Sequence, residues 1–146
     1  VYHLGDVALS WGRMSAGEID DILSQLNGNK ILIRGNHDRN EVVKNRRWSL
    51  VRDYLEIKVD VPDPTTPVVI RTKIVMMHYP LRSWNGIGRG SWMLHGHCHG
   101  NLPPVGGKTL DVGVDCWDFA PVSLETLARA MDGKDIFAPD HHGERE

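Results

Sequence analysis

Five consecutive residues carry the densest chemistry in this chain: His95-Gly96-His97-Cys98-His99. Histidines stand at every second position, and on an extended segment positions two apart point to the same side. His97 and His99 could therefore face one ion or two neighbouring ones. Neutral imidazole is the commonest metal ligand, and ordinary packing does not call for three in five residues. Gly96 removes a side chain where the backbone must turn or be approached closely.

Further ligand-type residues stand where strands are expected to end. Asp6 follows Val1–Leu4, and Asn36, His37 and Asp38 follow the apolar run Ile31-Leu32-Ile33. His78 closes Ile74–Met77, while His97 and His99 follow Trp92–His95. In open α/β sheets, sites form outside the carboxyl ends of strands. Each residue has an ordinary explanation: Asp6 could cap a turn, Asn36 could take a left-handed turn position, Asp38 could cap the following helix, and His78 could be a satisfied core histidine. Four strand ends all delivering metal-type ligands are hard to explain by packing.

The elements that must position these residues follow from periodicity and punctuation. Val1–Leu4 reads as a strand. Ser15-Ala16-Gly17-Glu18 is a capping box opening a helix with Ile19, Ile22, Leu23 and Leu26 at helical spacing, and Gly28 as its stop. Lys30–Arg34 is a buried strand, so strand, helix and strand form a βαβ unit with parallel strands. Arg39–Trp48 is polar, a short helix or an irregular turn. Tyr54–Val61 alternates as a half-buried strand, Pro62–Pro67 turns, and Val68–His78 returns as the second arm of a hairpin. Trp92–His95 and Thr109–Val114 are further strands. Ser123 caps a helix whose apolar stripe is Leu124, Leu127, Ala128 and Met131, closed by Gly133. Residues 134–146 read as a polar, mobile tail on a domain spanning 1–133.

The 146 residues suit one domain, with 40% hydrophobic and 25% charged residues, as in ordinary globular proteins. A net charge of −2 gives no general case for nucleic acid or an anionic membrane. No apolar run is long enough for a membrane span and no signal peptide is evident, so the expected location is cytoplasmic, with Cys98 and Cys116 reduced. A structural zinc module is disfavoured because paired Cys-x-x-Cys spacing is absent.

Gly5-Asp6, Gly35-Asn36-His37-Asp38, His78 and Gly96-His97-Cys98-His99, in that order, resemble the motifs of the calcineurin-like metallophosphoesterases, in particular a small bacterial and phage-type branch. The resemblance runs from Val1 to about Leu127. It implies an α/β fold of mixed sheets flanked by helices, an α+β four-layer sandwich. It also implies a metal-dependent hydrolase that cleaves phosphodiesters or small phosphomonoesters with metal-activated water. Position by position, Asp6 would bridge two ions, with Asn36, His78 and His97 completing one site and His99 serving the other. His37 would contact the phosphate and assist the leaving oxygen, with Asp38 orienting it through a hydrogen bond. Asn36, His37, Arg34, Arg82 and Arg89 are the candidates for substrate contact. The ions would be manganese, iron, zinc, nickel or cobalt, since such mixed ligands do not select among them.

The family opens with a strand ending in Asp-x-His, which is absent before Asp6, so one metal site is complete and the second is incomplete. A longer gene product or trimming, operation with one metal, or replacement ligands (His3, or His141 and His142) would each account for this. Loss of that first strand would uncover an edge, so the chain is expected to form a homo-oligomer, which light scattering would test. A carboxylic-ester hydrolase at the same metal, or an impaired metal-binding relative, is the alternative function. The loops Val7–Met14 and Leu81–Gly90 would shape the pocket, with Trp11, Trp84 and Trp92 available for stacking.

Overall fold

The capping box forms as the sequence dictates. In the computed structural model, which describes residues 1–8, 14–103 and 106–137, the Glu18 carboxylate accepts the Ser15 N–H at 2.8 Å and Ser15 Oγ accepts the Glu18 N–H at 3.3 Å. Helix α1 (Ala16–Gln25) follows. It buries Ile19 and Leu23, while Ile22 and Leu26 are exposed. The helix does not reach Gly28: Leu26 is already extended, and Gly28 takes φ 74° in the turn beyond.

Strands β1 (Tyr2–His3) and β2 (Lys30–Ile33) flank α1 and pair in parallel, as the βαβ pattern requires. A short helix α2 (Asn40–Val43) leads into β3 (Trp48–Arg52), which pairs parallel to β2 and was not expected from the sequence. These three strands form one sheet in the order β1-β2-β3. Its outer face is covered by Ile19 and Leu23 of α1 and Val42 of α2, packed with Leu32 and Trp48.

The second sheet has the order β4-β5-β6-β7. Strands β4 (Tyr54–Pro62) and β5 (Val69–Met77) form the expected antiparallel hairpin. Strands β6 (Trp92–His95) and β7 (Thr109–Asp111) add in parallel, β7 being shorter than the Thr109–Val114 expectation because the chain turns at Val114–Cys116. Ile74 and Met76 face the main core with Trp92 and Leu94, while Val75 and Met93 face the opposite way onto Trp84 and Ile87. Burial on both faces explains the unbroken apolar runs of β5 and β6.

The main core lies between the sheets. Ile33 of the first sheet meets Val61, Ile74, Met76, Trp92 and Leu94 of the second, and helix α3 (Leu124–Asp132) inserts Leu127, Ala128 and Met131. Ser123 Oγ caps α3 by accepting the Thr126 N–H at 3.2 Å. The chain is thus α/β, with mixed strands in two sheets and helices packed on them. Ile136 and Phe137, in the expected polar tail, lie against Gly90 and Gly106, so that segment starts on the body of the protein. Residues 138–146, with His141 and His142, and the loop residues 9–13, with Trp11, lie outside the described residues. No helix of the described residues is long and apolar enough to cross a membrane.

Candidate metal centre

The carboxyl ends of β1, β2, β5 and β6 meet at one corner. Gly5 and Gly35 stand back to back there: a Cβ on Gly5 would lie 2.6 Å from Gly35 Cα, and one on Gly35 would lie 2.2 Å from Asp6 Oδ1. Only glycine permits this approach. It lets the turn after β1 and the turn after β2 share hydrogen bonds. The Asp6 carboxylate accepts the His37 backbone N–H at 2.8 Å through Oδ1, leaving Oδ2 directed at His78 Nε2, 3.3 Å away.

His78 is 2% exposed and its ring is fixed at both ends. Nδ1 lies 2.7 Å from the Leu4 carbonyl, which accepts only, so Nδ1 donates there and Nε2 is the ring nitrogen turned toward the group. Nε2 faces Asn36 Oδ1 at 3.0 Å as well as Asp6 Oδ2. His97 approaches from the turn after β6, and ligand atoms of Asp6, His78 and His97 lie within 4.8 Å of one another. A proton on Nε2 would satisfy these oxygens in the absence of an ion, and with Nε2 deprotonated the same atoms make a cation's donor set. Ions bound at about 2.0–2.2 Å by nitrogen and oxygen hold their ligands at a comparable mutual spacing. The donor set of one carboxylate, one amide oxygen and two imidazoles therefore fits a divalent ion, and Asp6, Asn36, His78 and His97 would hold it.

The backbone is strained at this corner and at His99. Asp6 has φ 54°, His97 φ 66° and His99 φ 50°, a region that residues other than glycine rarely occupy.

His99 stands apart from the group. Its Nδ1 bonds the Asp115 carboxylate, which raises the imidazole pKa above its ordinary value and lowers that of Asp115. Its Nε2 makes no hydrogen bond among the described residues. The loop carrying it is tied down by Asp111, which accepts the Gly100 N–H at 3.1 Å and the Gly113 N–H at 2.9 Å. The strand-end rule that selects Asp6 and His78 also selects Asp111, at the end of β7, but sequence reasoning passed it over together with Asp115.

Asp38 differs from expectation. Its carboxylate does not bond His37. Instead Oδ2 accepts the Gly35 N–H at 2.8 Å and the Asp6 N–H at 3.0 Å, and Oδ1 accepts the Val7 N–H at 2.9 Å. Backbone donors left over by two tight turns outcompete a side-chain partner that can turn to solvent. Asp38 is thus a clamp between the turns. The His37 side chain is half-buried beside Asn36.

The arginines are not gathered at the centre. Arg34 Nε pairs with Asp53 at 2.7 Å on the surface. Arg82 and Arg89 are exposed, and Arg89 lines a cleft of about 390 Å³ formed by its own loop, Ser83–Arg89. Trp84 and Trp92 are core residues rather than stacking platforms, each 6% exposed. His3 is packed edge-on against Trp48, and its burial lowers its pKa. It does not belong to the ligand group. His95 is buried with Nδ1 on the Gly96 carbonyl. Cys98 and Cys116 are free thiols whose pKa values burial pushes up.

No family model matches the chain. It is 28% identical over 138 residues to the uncharacterized protein MJ1445 of Methanocaldococcus jannaschii. That match covers 90% of this chain and 65% of the relative, so the chain spans a little under two thirds of that protein's length. Among solved structures it is similar to the protein of unknown function AQ665 from Aquifex aeolicus, with a TM-score of 0.59 and 21% identity over 88% of this chain and 74% of that one. This likeness is one of fold.

Proposed function

We propose that the chain is a metal-dependent phosphoesterase of the calcineurin-like type, acting on phosphodiesters or small phosphomonoesters. The observation that carries this reading is the convergence of Asp6 Oδ2, Asn36 Oδ1 and His78 Nε2, with His97 beside them, at the corner where four strand ends meet. The donors are oxygen and imidazole nitrogen with no thiolate, a set suited to ions that also bind phosphoryl oxygens. A divalent ion held there supplies a Lewis acid for those oxygens and a lowered pKa for water.

The chain's own residues do the rest. The His37 N–H keeps Asp6 Oδ1 occupied, so that Oδ2 alone faces the cation position. The Leu4 carbonyl holds the His78 proton on Nδ1 and keeps Nε2 available. The His37 ring, adjacent to Asn36 in sequence, is the group proposed to hold a proton for the leaving oxygen. His99, with Nδ1 on Asp115 and Nε2 without a hydrogen bond among the described residues, is the ligand offered toward a second ion.

The test is turnover of p-nitrophenyl phosphate, bis-p-nitrophenyl phosphate and p-nitrophenyl acetate by the full chain, with manganese, nickel, cobalt or zinc supplied. Phosphoester turnover that falls more than about 10²-fold in His97→Ala is expected, the scale for losing one group that stabilises transition-state charge. Turnover of the acetate alone would move the reading to a carboxylic esterase. No turnover with any metal, or full activity in His97→Ala, would overturn it.

A further inference from the structure

We propose that Tyr79 is a positioning residue for His97, its ring surface taking the place of the hydrogen bond that fixes the other histidines. The inference rests on the metal centre proposed above. Ligating histidines ordinarily donate their second ring N–H to a partner that sets ring orientation. His78 does so to Leu4, and His99 is bonded to Asp115. The His97 ring has no hydrogen bond among the described residues, although it is exposed and sits on a left-handed backbone. Left alone, such an imidazole would rotate and present either nitrogen or neither.

Three rings enclose one another instead. Tyr79 meets His97 edge-to-face at 4.6 Å between centroids and 66° between planes. His78 meets His97 at 5.1 Å and 69°, and Tyr79 meets His78 at 5.1 Å and 75°. Such separations and angles are those aromatic pairs prefer. Tyr79 is 40% exposed and belongs to none of the hydrophobic clusters, so core packing does not account for its place. Pro80, the next residue, restricts Tyr79 to extended backbone and holds the ring in register with His78. The Tyr79 hydroxyl makes no hydrogen bond among the described residues, which leaves the ring as the working part.

The test is cobalt(II) titration of the full chain, followed by calorimetry and by the visible absorption of the bound ion, in wild type, Tyr79→Phe, Tyr79→Ala and His97→Ala, each checked for a cooperative melt. Tyr79→Phe should retain wild-type affinity and spectrum. Tyr79→Ala should bind about 3- to 10-fold more weakly, the equivalent of one aromatic pair, with an altered spectrum. Tyr79→Leu preserves bulk and repeats the test should the alanine variant not fold. Wild-type affinity and spectrum in the Ala and Leu variants, while His97→Ala is impaired, would overturn the role of Tyr79 and leave the centre standing. Unimpaired binding in His97→Ala would overturn the centre itself.

Discussion

Replacing Asp38 separates two roles for one carboxylate. If it orients His37, its loss should slow catalysis and leave stability alone. If it clamps the turns, as the hydrogen bonds indicate, stability should fall first. Asp38 is 9% exposed and accepts N–H groups of Gly35, Asp6 and Val7 at 2.8–3.0 Å. A hydrogen bond to a charged acceptor contributes about 1.5–3 kcal/mol net. Three bonds sharing one charge are not additive. Asp38→Ala leaves all three donors without this acceptor, and water entering the gap recovers part of the loss, giving a cost of about 4 kcal/mol. Asp38→Asn retains one carbonyl oxygen for Gly35 and Asp6 but turns an amide N–H₂ toward the Val7 N–H, for about 2 kcal/mol.

For a chain of this size 1 kcal/mol moves the melting temperature by about 3 °C. Metal-free Asp38→Asn should therefore melt about 6 °C below wild type, and Asp38→Ala about 12 °C below. Thermal and urea melts in excess chelator provide the measurement, since ligand binding would otherwise mask the change. A metal-free Asp38→Asn melting within about 1 °C of wild type would refute the clamp and return Asp38 to the role the motif resemblance implies.

Two glycine substitutions and one titration extend the argument. Gly35→Ala would place a Cβ 2.2 Å from Asp6 Oδ1 and 2.5 Å from Asp6 N, so we expect a loss of more than about 2 kcal/mol in urea melts and no measurable metal binding. Gly28→Ala, at φ 74° with nothing within 4 Å, should cost only about 1 kcal/mol and leave metal binding intact. Equal effects at the two positions would contradict the back-to-back packing of Gly5 and Gly35. The Tyr54 phenol is pushed up to about 12, first by burial and then by its 2.5 Å hydrogen bond to Glu56. The neutral phenol is the form the fold favours, so the associated stability is present below pH 10 and is lost as pH rises through about 12. In an ultraviolet titration Glu56→Gln should lower this value without returning it to 10, because burial remains. An unchanged late phase in Tyr54→Phe would show that the signal belongs to another tyrosine.

What was legible in the chain followed from how completely each element is covered. Strands β2, β5 and β6 read clearly because helices or the 81–90 loop cover their outer faces, which demands continuous apolar runs such as Ile31-Leu32-Ile33. Strand β3 did not read. It is an edge strand flanked by Arg46, Arg47, Arg52 and Asp53, and its largest residue, Trp48, turns to α2 and donates its indole N–H to the Val42 carbonyl at 2.8 Å. The gathering of Asp6, Asn36, His78 and His97 at one corner was legible because strand ends announce themselves in sequence. The partners of Asp38, His97 and His99 were not. Which donor a carboxylate finds, or which ring an imidazole rests against, depends on turns from distant parts of the chain meeting at one corner.

That corner holds its shape against several costs. Asp6, His97 and His99 are three of the five residues other than glycine found at positive φ among the described residues. Each such position costs on the order of 1–3 kcal/mol and persists only when its surroundings over-determine it. Opposing these terms are backbone bonds: Asp38 to three N–H groups, His37 to Asp6, and the Gly96 N–H to the His78 carbonyl at 3.1 Å. The geometry of this corner is therefore built by main-chain closure of the turns. Gly5 and Gly35 matter to the chemistry for the same reason: without their close approach the His37 N–H could not reach Asp6, and Oδ2 would be free to turn away from His78.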